Sequence, residues 1–155
     1  MPTTFQHLEL LSRQVHQAHR AAVEEELTRR GLRDVNPLIL AILKHMEQTQ
    51  AQSFSQRDIA RTLGISPAAV TNSLKTMENS GYVIREPEQE DARRNRVELT
   101  RKGREAVEGC EEAFLSVSQR MLAGFTVEEQ EMLVDFRARM LNNLRRDASA
   151  PKEES

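Results

Sequence analysis

Two clusters of side chains in this 155-residue chain have the chemistry to grip and read a polyanion. The first is Ser66, Ala68, Thr71, Asn72 and Lys75. A helix opened by Ser66-Pro67, as N-cap and first helical position, would carry the other four on one face. Asn pairs bidentately with adenine, Thr hydrogen-bonds a base or touches a thymine methyl, and Lys reaches guanine or phosphate. Ala68 is small enough to let the backbone approach a groove floor, and Ser66 sits where free N–H groups attract phosphate. The second cluster is Asp91-Ala92-Arg93-Arg94-Asn95-Arg96, with three arginines among four consecutive residues. Such crowding is costly unless an anion is near. A narrow, negative minor groove is one place for an inserted Arg, and Asp91 can steady Arg93 through a charge-assisted bond.

Each cluster has a plainer reading. Polar residues on a helix are solvated by default, and a charged turn can be neutralised by Glu86, Glu88 and Glu90. The surrounding elements decide against it. Ser55-x-x-Asp58 is a weak capping box for a short helix whose Ile59, Ala60 and Leu63 face inward. Leu63-Gly64-Ile65-Ser66 is a tight turn, and the glycine can take the left-handed conformation that ends a helix. In the second helix Val70, Leu74 and Met77 point to a core, which leaves the Ala68-Thr71-Asn72-Lys75 face outward. Gly81 stops it. Tyr82–Arg85 and Arg96–Leu99 read as short strands, with the charged stretch 86–95 as the loop between them. Helix, turn, helix and hairpin, over about residues 36–100, make a winged helix-turn-helix that presents its second helix to a DNA groove.

The flanks read as long helices. From about 5 to 30, Leu8, Leu11, Val15, Ala18 and Ala22 form one apolar stripe, ended by Gly31. Asn36-Pro37 opens a helix, apolar nearly all round at its start (Leu38 to Leu43), that suits a central core position and runs into a polar loop over 48–53. Thr100 caps a helix over about 101–123, striped by Val107, Cys110, Phe114, Val117 and Met121. Thr126-x-x-Glu129 is a clear capping box for a last helix, about 127–146, with Leu133, Phe136, Met140 and Leu144 as its stripe. The small winged domain cannot cover all these stripes. They predict either a dimerisation layer, expected because groove-reading helices work as symmetric pairs, or a helical bundle packed on the winged domain of a monomer. The polar tail, 148–155, reads as disordered.

Composition narrows the class. Hydrophobic residues are 38% and charged residues 30%, which is globular, and no apolar run spans a bilayer. No signal peptide is evident in MPTTFQHLELLSRQ, and the single Cys110 forms no internal disulfide, so a reducing, cytoplasmic setting is expected. The net charge of -2 hides a split: residues 55–104 hold ten Lys/Arg against seven Asp/Glu, a net of +3, and the rest 12 against 17, a net of -5. A basic middle in an acidic frame favours local attraction to phosphate. The chain has no G-x-S-x-G, no phosphate-cradling Gly loop and no H-E-x-x-H, so an enzyme is not expected.

The stretch ISPAAVTNSLKTMENSGYVIR, the D-x-R of Asp91 and Arg93, and the VELTRKG that follows resemble the MarR (multiple antibiotic resistance regulator) family of transcription factors. With the flanking helices the resemblance covers roughly the whole chain, as a single domain over 1–147. It implies a mainly α fold with a β-hairpin wing and an obligate homodimer built by the first and last helices. It implies binding to a pseudo-palindromic duplex, commonly as a repressor released by a small anionic or phenolic effector. In the family the arginine matching Arg93 enters the minor groove, supported by the acid matching Asp91. Position 92 is Ala where many members carry a basic residue, which shifts weight toward Arg94 or Arg96. No resident cofactor is implied.

Three features bear on sensing. Cys110 lies on an apolar stripe, which favours a buried thiol over an oxidant sensor. His16 and His19 lie one turn apart and, with His45, are tentative effector contacts. A metal shared by them is the weaker reading, because no cluster has ligand spacing. A metal- or redox-responsive regulator, or a winged module for protein–protein contact, remain as alternatives.

Overall fold

The computed structural model describes the backbone of residues 3–49, 55–88 and 91–149; the side chains of 87–88, 91–96 and 147–149 lie outside the described residues. Among these the order is α1 (Thr4–Arg29), α2 (Pro37–Thr49), α3 (Gln56–Leu63), α4 (Pro67–Asn79), β1 (Val83–Glu88), β2 (Asp91–Leu99), α5 (Arg101–Met121) and α6 (Val127–Ser149). The capping signals mark the helix starts. Asn36 Oδ1 accepts from the Ile39 N–H at 3.2 Å. Ser55 and Asp58 complete a reciprocal capping box, as do Thr126 and Glu129. Thr3 and Gln6 form another at α1. Each satisfies amides that a helix start otherwise leaves without partners.

The chain divides into two compact units, Met1–Val117 and Ser118–Ser155. The first holds the winged helix-turn-helix. Its core joins Val23 and Leu27 of α1 to Ile39, Leu40 and Leu43 of α2, Ile59 of α3, Val70, Leu74 and Met77 of α4, Val83, Val97 and Leu99 of the hairpin, and Val107, Cys110 and Val117 of α5. Leu38, expected in this core, is 55% exposed. A helix apolar all round its first turn does not say which face turns inward, and Ile39, Leu40 and Leu43 take the core side. Glu26 is buried, and its carboxylate receives Arg29 at 3.0 Å and Arg30 at 3.7 Å; Arg30 reaches on to Glu112, tying α1 to α5.

The hairpin is longer than its hydrophobic pattern suggests. β1 and β2 pair antiparallel, Val83 with Leu99 through Pro87 with Asn95, so residues 86–88 and 91–95 belong to strands where a loop is expected. Past Pro87 the register jumps to Glu88 with Asp91, which leaves Ala92, Arg93 and Arg94 without partners on β1. Proline has no N–H to give the ladder, and a bulge beside it is the usual consequence.

Other boundaries shift modestly. α2 continues through Gln48 and Thr49, where Thr49 Oγ1 donates to the His45 carbonyl at 2.9 Å; residues 50–53 of the expected loop lie outside the described residues. α5 stops at Met121, two residues early, and α6 runs to Ser149, so 148–149 are helix rather than tail; 150–155 lie outside the described residues.

The long stripes divide. On α5, Val107, Cys110 and Val117 are buried, Phe114 is half-buried and Met121 is exposed. On α1 the N-terminal part of the stripe, Leu8, Leu11 and Val15, is exposed, together with Phe5 and Leu10. No described residue of α6 is buried: Leu133 is half-buried, while Phe136, Met140 and Leu144 are exposed, Leu144 by 71%.

Candidate nucleic-acid interface

The turn before α4 sets its pose. Gly64 adopts the left-handed conformation at φ 66°, and the Ile65 N–H donates to the Ala60 carbonyl at 3.1 Å, closing α3. Ser66 Oγ then accepts from the Ala69 N–H at 3.1 Å, with Pro67 in the first turn. Val70, Leu74 and Met77 are fully buried. Ser66 at the cap, and Ala68, Thr71, Asn72 and Lys75 on the opposite arc of about 100°, are all exposed. The structure therefore brings the five residues of the first cluster onto one open face.

One of them is held by a residue that sequence patterns do not single out. Thr71 Oγ1 lies 3.0 Å from Gln56 Oε1, at the start of α3, and 3.0 Å from the Pro67 carbonyl. Gln56 precedes Thr71 by fifteen positions on another helix, so no periodicity could have paired them. Arg57 and Arg61, both exposed on α3, add positive charge to that helix.

The hairpin is anchored at its base. Arg85 Nε donates to Glu78 Oε2 of α4. Tyr82 is buried, with Lys102 Nζ 4.5 Å from its ring centroid. Thr100 Oγ1 donates to the Gly81 carbonyl at 2.6 Å and accepts from the Gly103 N–H at 3.0 Å, so one hydroxyl caps α5 and fastens it to the turn after α4. Lys102 Nζ donates to the Ser80 carbonyl at 2.6 Å, beside it. Of the second cluster the backbone places Asp91, Arg93, Arg94 and Arg96 on β2, with Arg96 opposite Glu86 and Arg93 and Arg94 in the unmatched stretch. Their side chains, and with them the expected Asp91–Arg93 bond, lie outside the described residues.

The residues considered for sensing differ in burial. Cys110 is buried in the core of the first unit, and burial, with a smaller contribution from Glu111, pushes its thiol up to about 11. It is a neutral thiol at physiological pH, unlike the exposed thiolate of a redox sensor. His19 is half-buried with its ring 6.3 Å from that of Phe114, while His16 and His45 are exposed. Among the described residues no group of three or more His, Cys, Asp or Glu side chains is placed to hold a metal. Among them, too, no helix is long and apolar enough to cross a membrane.

Comparison with known proteins agrees with this layout. The model of the MarR family matches residues 30–94, from the end of α1 into the wing. The HTH-type transcriptional regulator YdgJ of Bacillus subtilis (strain 168) is 38% identical over 106 residues, 68% of this chain; the match spans 62% of YdgJ's length. Among solved structures, the transcriptional regulator PA3341 is 27% identical with a TM-score of 0.69, over 90% of this chain and 98% of that one. The F27L mutant of MepR from S. aureus, solved bound to an oligodeoxyribonucleotide, shares the fold at 23% identity and a TM-score of 0.52, over 92% and 99% of the two chains. Over residues 30–94 the chain matches the MarR family, and it is similar to transcriptional regulators on both sides of that stretch.

Proposed function

We propose that the protein is a homodimeric, sequence-specific DNA-binding repressor. The observation that carries this reading is the open face of α4: Ser66, Ala68, Thr71, Asn72 and Lys75 are exposed together, opposite a fully buried Val70-Leu74-Met77 row. Two such helices enter successive major grooves of a pseudo-palindromic operator, with half-sites about 34 Å apart. Asn72 and Lys75 contact base edges, and Ser66 contacts a phosphate at the helix N-terminus. Arg93 of the wing enters the flanking minor groove with Asp91 in support, and Arg94 and Arg96 add phosphate contacts. That MepR, a protein of the same fold, was solved bound to an oligodeoxyribonucleotide supports DNA as the partner.

The exposed apolar residues of α1 (Leu8, Leu11, Val15) and of α6 (Phe136, Met140, Leu144), with half-buried Leu133, support a second copy as their cover. A small anionic or phenolic effector that binds the DNA-free form better than the bound form would release the operator by shifting that equilibrium. We assign His16, His19 and His45 as its contacts.

The test is binding to duplexes from upstream of the protein's own gene. Affinity should fall steeply with salt. Arg93→Ala and Asn72→Ala should each weaken specific binding by about tenfold or more. Unchanged affinity in both variants would remove the site assignment.

A further inference from the structure

The Thr71 hydroxyl carries a single proton, and that proton has two acceptors inside the protein. Gln56 Oε1 and the Pro67 carbonyl each lie 3.0 Å from Thr71 Oγ1. A threonine within a helix commonly donates to the carbonyl four residues back, as the Pro67 contact does. The Gln56 contact has no such local origin, since it joins the first residue of α3 to the outward face of α4. Thr71 is exposed, in line with Asn72 and Lys75. Its outward surface therefore offers oxygen lone pairs and a methyl group, with no donor to spare.

We infer that Gln56 is a positioning residue for sequence readout: it fixes Thr71 as a hydrogen-bond acceptor, so that Thr71 selects a base with a major-groove donor. Only adenine N6 and cytosine N4 supply one there; guanine N7 and O6 and thymine O4 are acceptors and meet lone pairs. The inference rests on the proposed insertion of α4 into the major groove. Exchanging the oxygen and nitrogen of the Gln56 amide leaves it intact. In that case Nε2 donates to Thr71 Oγ1 and the threonine proton goes to the Pro67 carbonyl, so Thr71 still presents no donor. Without Gln56 only the local bond to the Pro67 carbonyl holds the threonine proton, and a hydroxyl that gives up that bond rotates to accept or donate according to the base it meets. Removing Gln56 should therefore relax the choice of base without removing binding.

The experiment is selection of preferred sites from randomised duplexes by the full-length protein and by Thr71→Val, Gln56→Ala and Gln56→Glu. Thr71→Val identifies the base pair that Thr71 reads, as the one position per half-site whose preference flattens. There the wild type should favour adenine or cytosine over guanine or thymine by about three- to tenfold. Gln56→Ala should reduce that preference at the same position and leave the others unchanged. Gln56→Glu, which keeps an acceptor for the Thr71 proton, should retain it whatever it does to overall affinity. A wild-type preference for guanine or thymine at that position overturns the inference. So does a Gln56→Ala profile identical to wild type, or a Thr71→Val profile with no flattened position. If the wild type selects no sequence at all, the proposed function fails along with it.

Discussion

A Cβ built on Gly103 would lie 2.1 Å from the carbonyl oxygen of Tyr82 and 3.2 Å from a methyl of Leu99. The first partner is backbone and cannot swing away, so Gly103→Ala must displace either the start of β1 or the first turn of α5. A loss of about 2–3 kcal/mol, the upper part of the overpacking range, is expected in urea unfolding. Gly109 is the internal control. Its added Cβ would meet only the end of the Leu32 side chain, at 2.8 Å, and alanine recovers about 1 kcal/mol of helix propensity. Gly109→Ala should thus fall within about 1 kcal/mol of wild type. Equal losses in the two variants would contradict the close approach at Gly103. At this scale the outward face of α4 was legible in advance, because periodicity alone sets Ala68, Thr71, Asn72 and Lys75 opposite Val70, Leu74 and Met77. The grip of Gln56 on Thr71 was not. It depends on how α3 packs on α4, and no local pattern encodes that.

Elements are joined by ion pairs as well as by the core. Glu47 near the end of α2 receives Arg104 from the first turn of α5: the Nε–H is shared between Oε1 and Oε2, at 3.0 and 3.1 Å, and Nη2 donates to Oε1 at 2.5 Å. Those hydrogen bonds, against a smaller opposing effect of burial, hold the Glu47 carboxyl below its ordinary value of 4.5. A lowered carboxylate stabilises the fold above its unfolded value and loses that contribution as pH falls through the folded one. Both side chains are substantially exposed, so solvent screening leaves the pair only a small contribution. Arg104→Ala should lower the urea midpoint slightly at pH 7, and the difference from wild type should shrink as pH falls through the folded value of Glu47, because the carboxylate is then protonated. A shift that does not change with pH would assign the effect to lost packing of the arginine stem instead. Helix starts were the most legible elements, since Asn36-Pro37, Ser55, Ser66-Pro67 and Thr126 announce them chemically. The reach of the hairpin was the least legible. Residues 86–88 and 91–95 are largely charged and lack an apolar alternation, so their strand state comes from pairing across the ribbon.

At the scale of the whole molecule the outstanding property is apolar surface without cover. Phe5, Leu8, Leu10, Leu11 and Val15 in the first unit, and Phe136, Met140, Leu141 and Leu144 in the second, are all exposed. Obligate homodimers bury about 2,000 Å² or more of such surface. The wild-type protein should sediment as a dimer at micromolar concentration. Leu11→Glu combined with Leu144→Glu should shift it to monomer and lower operator affinity by about 100-fold or more, since two half-sites are then no longer bound as one. A monomeric wild type would instead favour the bundle reading. The sequence supplied the stripes but not their division. Nothing in the spacing of Val107, Cys110 and Val117 distinguishes them from Leu8, Leu11 and Val15, yet the former fill a core and the latter do not.

The Thr100 hydroxyl has a mechanical consequence. Through it the first turn of α5 and the turn after α4 share one atom, while Lys102 grips Ser80 and Gly103 leaves no gap above Tyr82. These contacts tie the start of α5 to the turn after α4, so a tilt of α5 about its N-terminus must either break them or carry that turn with it.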